Sequence, residues 1–323
     1  MYQHFKKTAN LFGSGYSYIR SIVSGNPEAI GMPLAIGAEL TNHCNLRCPE
    51  CPSGSGTLTR ARGFMDPVLF QKIIDELSPY LYNINLYFQG EPMLHPKVFK
   101  FLEISRNVKT VISTNGHYLN ADNAEQLVKS GLDKLIVSLD GADQETYSAY
   151  RMNGNFVTVI NGIKTVTEAK KRFSSAIKVE IQFLVNKINE NQVGQMERLA
   201  SDLGAELRLK SMQVAVRENM GKWLPVDGRF GRYRLKGDEY FIKSSLPNRC
   251  SRMWFNPVIT WDGKVIPCCF DKDAEYIMGD LNQDSFREIW TSPKYRIFRK
   301  SILTGRNMIE MCRNCSSGLH LRF

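Results

Sequence analysis

Cys44-Asn45-Leu46-Arg47-Cys48-Pro49-Glu50-Cys51 places three thiols in one short loop, at the spacing Cys-x3-Cys-x2-Cys. Three thiolates are one fewer than an iron–sulfur cube normally takes from its protein. A cube held by three keeps one iron open for a ligand that is not protein. The competing chemistry for clustered cysteines is a zinc loop.

Working outward, residues 34–40 read as a strand running into this loop. From 34 to about 211, short β-rich runs alternate with helical patterns, the signature of βα units on a parallel sheet. Asp66 and Pro67 form an N-cap and first-turn pair ahead of a helix carrying Leu69, Phe70, Ile73, Ile74 and Leu77 at helical spacing. Further strands are expected at 83–88, 109–113, 134–139, 177–185 and 206–210. Helices are expected at 96–105, 121–130, 144–150, 157–172 and 189–203. Six such units are too few for a closed eight-stranded barrel and fit an open, TIM-like partial (β/α)6 barrel, whose site lies at the strand C-termini.

The remaining composition narrows the setting. The chain has 323 residues, 43% of them hydrophobic, enough for one large α/β domain and an appendage. No apolar run approaches the ~20 residues of a spanning helix. Residues 1–24 mix Lys6, Lys7 and Arg20 with polar residues and lack a signal-peptide core. A cytoplasmic protein is therefore expected, in which the eight cysteines ligate metal and do not form disulfides. They fall in two sets, three at the front and five after residue 249, which suggests two metal sites. The net charge of +10 is spread along the chain, so a solvated basic surface is expected and nucleic acid is not. One segment stands apart. Phe5, Leu11, Phe12, Tyr16, Ile19, Ile22 and Val23 accompany the basic residues of the N-terminus, a basic amphipathic pattern weakened by Gly13 and Gly15. Packing of that segment against the protein is expected, with peripheral membrane contact as the alternative.

Short polar motifs follow three of the strands: Gln89-Gly90-Glu91-Pro92, then Ser113-Thr114-Asn115-Gly116, then Ser138-Leu139-Asp140-Gly141. With the cysteine loop they make the chain resemble the radical S-adenosylmethionine (radical SAM) superfamily. The resemblance implies a [4Fe–4S] cluster on Cys44, Cys48 and Cys51, with the amine and carboxylate of SAM on the open iron. Gln89-Gly90-Glu91-Pro92 then corresponds to the family's Gly-Gly-Glu-Pro motif, which receives the SAM ammonium. Ser113, Asn115, Ser138 and Asp140 suit ribose hydroxyls and the SAM carboxylate. Arg151 matches an arginine that touches SAM, and a guanidinium can pair a carboxylate through two bonds. Glu50 departs from the family, which commonly has an aromatic residue before the third cysteine.

After the barrel come Cys250, Cys268, Cys269, Cys312 and Cys315. Asp262-Gly263 between two β-rich arms predicts a hairpin with a type I′ turn that carries Cys268 back towards Cys250. Helices are expected at 281–290 and 293–303, before Cys312-x2-Cys315. On an extended segment Cys269 should point away from Cys268. This order resembles the Twitch element, the shortened SPASM domain. It implies one auxiliary [4Fe–4S] cluster on Cys250, Cys268, Cys312 and Cys315, with Cys269 spare; a four-cysteine zinc site is the plain alternative. The expected division is a basic amphipathic segment (1–33), a radical SAM core (34–211), a connection (212–247) and a small α+β SPASM/Twitch domain (248–323).

By the same resemblance, the front cluster cleaves SAM to a 5′-deoxyadenosyl radical. An auxiliary cluster with no open iron then accepts an electron from the substrate radical. The expected function is a two-electron, dehydrogenase-like oxidation of a small molecule, supplied by a flavodoxin- or ferredoxin-like electron donor. Two alternatives stand beside it. One is a peptide or protein maturase that relies on a separate partner, since only 33 residues precede the first strand. The other is a non-catalytic metal-binding interaction protein. Tyr87, His117 and the 212–247 connection are candidates to line the substrate pocket.

Overall fold

The computed structural model describes residues 2–316, with side chains from Phe5 onward. The chain divides into two compact units that cut across the division expected from sequence order. Among the described residues, one contains 2–43, 58–110 and 246–316; the other contains 44–57 and 111–245. The last seven residues of the expected 248–323 domain lie outside the described residues.

In the first unit, β1 (Ala35–Ala38) and β2 (Asn83–Asn85) pair in parallel, with Ile36 opposite Ile84. Asp66 caps the helix Pro67–Leu77 by accepting from the Val68 amide at 2.8 Å, and Phe70, Ile73, Ile74 and Leu77 are buried. In the second unit, β3 (Lys109–Thr114), β4 (Lys134–Ser138), β5 (Lys178–Val185) and β6 (Glu206–Ser211) run parallel in that order. Leu135, Ile136 and Val137 are consecutive buried residues on β4. That continuous apolar run is what a parallel strand covered on both faces requires. Helices Ala121–Lys129, Gln144–Tyr150, Phe156–Arg172 and Val193–Asp202 alternate with these strands, so the α/β class is as expected.

The 212–247 connection has structure of its own. It holds the antiparallel pair β7 (Tyr233–Lys236) and β8 (Glu239–Ile242), and Trp223 and Tyr233 within it are buried. The C-terminal hairpin consists of β9 (Val258–Ile259) and β10 (Lys264–Ile266), followed by β11 (Gly279–Asp280). Its turn is not type I′. Gly263 has φ +85° but Asp262 is not in the left-handed region, and the Thr260 amide donates to the Lys264 carbonyl across a three-residue loop. A glycine in the left-handed region closing such a loop is the next commonest hairpin geometry. Hydrogen bonds also run from β9 to β1, which are parallel, with Gly37 opposite Val258 and Ala38 opposite Ile259. The C-terminal cysteine region is thus built onto the first strand of the βα series.

Helix α1 (Tyr2–Ser24) forms despite its two glycines. It packs against the protein as expected, but by the opposite face. Asn10, Ser14, Ser17 and Ser21 are buried, while the apolar residues named above are exposed.

Candidate functional site

Cys44, Cys48 and Cys51 lie in the second unit, where all three pack on one apolar cluster that includes Leu46, Tyr150, Met212 and Trp223. The Cys51 amide donates to the Cys48 carbonyl, and the Arg47 amide to the Met152 carbonyl, which closes the loop into a compact turn. N–H groups face the sulfurs. The Leu46 amide lies 3.5 Å from Cys44 Sγ, Asn115 Nδ2 4.0 Å from the same sulfur, and Arg151 Nη1 3.8 Å from Cys48 Sγ. Burial pushes the Cys48 thiol up, and the Arg151 guanidinium pulls in the opposite direction.

Two networks aim these donors. Arg151 Nε donates to Asp140 Oδ2 at 2.5 Å, and Asp140 Oδ1 accepts the Leu184 amide, so the fully buried carboxylate anchors the arginine to the end of β5. Burial opposes the Arg151 charge, but Asp140 and Cys48 outweigh it and hold the group firmly protonated. The second network fixes Asn115. His117 Nε2 accepts the Asn155 amide, which leaves Nδ1–H to donate to Asn115 Oδ1 at 3.0 Å; Asn115 Nδ2 then donates to Asn45 Oδ1 at 2.7 Å. Both ring nitrogens of His117 are engaged, and burial holds its pKa below the ordinary value. His117 therefore acts as a brace for Asn115. Ser113 and Ser138 stand half-buried at the C-terminal ends of strands β3 and β4.

Glu50 has a use that its departure from the family pattern concealed. It is buried, and its carboxylate accepts from the Ala215 amide at 3.0 Å and Asn219 Nδ2 at 2.7 Å. It ties the cysteine loop to the segment after β6.

Gln89-Gly90-Glu91-Pro92 lies in the first unit. Gly90 has φ +75°, and a Cβ there would come within 2.5 Å of the Thr41 carbonyl and 2.7 Å of the His43 carbonyl. Only glycine lets this turn lie against the residues leading into Cys44. Glu91 is buried and caps the turn Pro92–Leu94 by accepting from the Met93 amide. Gln89 Oε1 is buried and receives no hydrogen bond from the described residues. A buried acceptor without a donor is costly, and an N–H donor is the partner it suits. Tyr87 is half-buried beside this motif.

The four C-terminal cysteines proposed as ligands are buried in the first unit. Arg306, 1% exposed, donates from Nη2 to Cys315 Sγ at 3.2 Å and also meets Cys312. Burial opposes its charge, yet Cys250, Cys315 and Cys312 together hold it protonated. Burial also pushes the Cys312 thiol up to about 11. The neighbouring cysteines, Cys269 before Cys268, Cys250 and Cys315, hold Arg252 charged against the cost of its burial. Cys269 does not point away from Cys268. The chain turns here, with the Asp271 amide on the Cys268 carbonyl, and the neighbouring thiols hydrogen-bond, Cys268 protonated and Cys269 the more acidic of the two. Among the described residues no three His, Cys, Asp or Glu side chains converge closely enough for a single metal ion. A cube stands its thiolates further apart, because iron and sulfide lie between them. The donor chemistry fits such clusters: no disulfide ties up any of the eight cysteines, and arginine or amide N–H groups face both sets.

Residues 38–199 match the model described as Radical SAM superfamily, and residues 250–316 match SPASM, an iron-sulfur cluster-binding domain. The AdoMet-dependent heme synthase of Methanosarcina barkeri is 32% identical over 83% of this chain and 84% of its own length. The S-adenosyl-L-methionine-dependent 2-deoxy-scyllo-inosamine dehydrogenase of Niallia circulans is 23% identical over 87% of this chain and 92% of its own. Among solved structures, SuiB of Streptococcus suis, bound to its precursor peptide SuiA, superposes with a TM-score of 0.65. That match covers 95% of this chain and 75% of SuiB at 13% identity, a likeness of fold.

Proposed function

Since this chain belongs to the radical SAM superfamily, we propose that it carries two [4Fe–4S] clusters and oxidises a small-molecule substrate by two electrons. Cys44, Cys48 and Cys51 hold the first cluster, and Cys250, Cys268, Cys312 and Cys315 the second. When bound, the first cluster with SAM supplies the radical that takes a hydrogen atom from a substrate C–H bond, and the second accepts the remaining electron. The observation that carries the reading is the set of N–H donors trained on the front sulfurs, the Leu46 backbone amide and the Asn115 and Arg151 side chains, both side chains locked by a further hydrogen bond.

The chain's own residues do the positioning. Arg151 stays cationic on Asp140 and neutralises thiolate charge at Cys48 while offering its remaining N–H groups to the SAM carboxylate. Ser113 and Ser138 present polar groups to the ribose, and Asn115, its amide already engaged by His117, Asn45 and Cys44, holds the cysteine loop in place. Gln89 Oε1 accepts from the SAM ammonium, Glu91 supplies negative charge nearby, and Pro92 and Gly90 shape the turn. The electron donor is a reduced flavodoxin- or ferredoxin-like protein, whose acidic surface suits a chain of net charge +10. The similarity to a named dehydrogenase supports the oxidative outcome.

Anaerobic reconstitution tests the reading. The protein should take up about eight irons, and Cys44→Ala/Cys48→Ala/Cys51→Ala about four, with SAM cleavage abolished. Cys312→Ala/Cys315→Ala should still cleave SAM but form no oxidised product. Gln89→Leu and Arg151→Ala should each weaken SAM about tenfold to a hundredfold, the worth of a lost charged hydrogen bond. Stoichiometric zinc without iron–sulfur absorbance would refute the proposal. Untargeted comparison of metabolites and peptides in cells with and without the gene would name the substrate.

A further inference from the structure

The seven apolar residues of helix α1 point away from the protein to which the helix is docked. Phe5, Phe12, Tyr16, Ile19 and Val23 recur at intervals of seven, four, three and four, which places them along one face. They are 72, 72, 60, 62 and 82% exposed. Leu11 and Ile22 widen the stripe on one side. The opposite face is small and polar. Asn10 exchanges two hydrogen bonds with the Met32 backbone, Ser14 donates to the Met32 carbonyl, and Ser21 accepts the Glu28 amide. Tyr18 packs on Trp254 and Phe255. The helix is thus pinned by its hydroxyl face, with its hydrophobic face outward.

Two features identify what covers that face. The first is charge. The 23 residues of α1 include no Asp or Glu; Lys6 and Lys7 are half-buried towards its docked side, and Arg20 is exposed between that side and the stripe. Arg296 and Lys300 are exposed at its C-terminal end, where they hydrogen-bond Asn26 and the Gly25 carbonyl. Glu28, paired with Arg20, is the one acid in that group. The second is area. From Phe5 to Val23 the stripe is about 27 Å long at 1.5 Å per residue and roughly 10 Å wide. A stable protein–protein interface takes about 800 Å² from each partner, well beyond one convex helix ridge. Lipid needs no matching surface and closes around a ridge, while lysine and arginine stems reach outward to headgroup phosphates.

We propose that α1 is a monotopic anchor that seats the protein on an anionic bilayer surface, its apolar stripe in the interface and its basic residues on the headgroups. The helix lies on the membrane and does not cross it; no helix among the described residues is long and apolar enough to span. The inference does not depend on the substrate or on either cluster. Its consequence is that substrate or electron donor is met at a membrane surface.

The test is vesicle flotation of the reconstituted full chain. Vesicles of phosphatidylcholine with about one-third phosphatidylglycerol should carry the protein up the gradient, and phosphatidylcholine alone should carry it at least tenfold less well. Phe5→Ser/Phe12→Ser/Ile19→Ser/Val23→Ser should lose at least tenfold in binding to the anionic vesicles, with iron content and SAM cleavage unchanged. Arg296→Glu/Lys300→Glu should weaken binding at low salt. Three results would overturn the proposal: no flotation on anionic vesicles; equal flotation of the serine variant; or a dimer in light scattering that the serine variant converts to monomer, which would make a second copy the occupant.

Discussion

Replacing Arg306 by Met should lower the reduction potential of the proposed auxiliary cluster by about 100 mV. The guanidinium lies 3.2 Å from Cys315 Sγ and is buried, so its charge is poorly screened. Taking the charge as roughly 6 Å from the cluster centre and the effective dielectric as about 20 gives ~2.8 kcal/mol per added electron. At about 59 mV for each 1.4 kcal/mol in a one-electron step, that is ~120 mV. The lost N–H···S bond acts in the same direction, since hydrogen bonds to cluster sulfurs raise the potential. An anaerobic redox titration followed by electron paramagnetic resonance reads the shift. Arg306→Lys keeps the charge and should recover most of it. If both clusters are present and the potential in Arg306→Met stays within about 20 mV of the parent, the electrostatic reasoning fails. If only the Met variant loses auxiliary iron, the lysine variant still distinguishes a charge effect from a packing one.

Further outcomes follow from the braces around the site. Gly90→Ala forces a Cβ onto the Thr41 and His43 carbonyls at φ +75° and should cost about 2–4 kcal/mol in denaturant unfolding. Glu50→Ala removes two charged hydrogen bonds, each worth about 1.5–3 kcal/mol, and should raise amide exchange across residues 215–219 before it affects any other segment. His117 and His95 both have pKa values held below 6.5 by burial, and each accepts a backbone amide at one ring nitrogen. The unfolded chain therefore binds more protons, and stability should fall as pH drops below 6.5 until the lowered values are passed. Thermal midpoints between pH 5 and 8 should show a shallower slope in His117→Asn/His95→Asn; an unchanged slope would exclude these histidines as its source.

The parts of this protein legible in its sequence were those with local causes. The six parallel strands announced themselves as apolar runs between turn residues, and the cysteines by their spacing. Other features depended on partners remote in the chain. His117 braces Asn115 only because the fold brings the Asn155 amide to its ring, and Glu50 finds its donors at 215 and 219. The Asp262-Gly263 pair correctly marked a hairpin, but Thr260 closes a longer loop than the dipeptide suggests. For α1, periodicity revealed an apolar face but not its direction. Burying serines is affordable here because each hydroxyl finds a backbone partner, Ser17 on the Ser14 carbonyl and Ser21 on Ser17.

The parallel pairing of β9 with β1 sets a schedule for biosynthesis. Gly37 must wait for Val258, more than two hundred residues later. At roughly 5–20 residues per second, the ribosome needs about 10–40 s to supply that partner. Through that interval β1 presents an open edge, directly ahead of the loop that carries Cys44, Cys48 and Cys51. An unpaired parallel edge invites mispairing, and the long sequence separation makes its closure slow. Assembly of the first unit is therefore completed late, and a chain interrupted before residue 258 leaves β1 without its β9 partner.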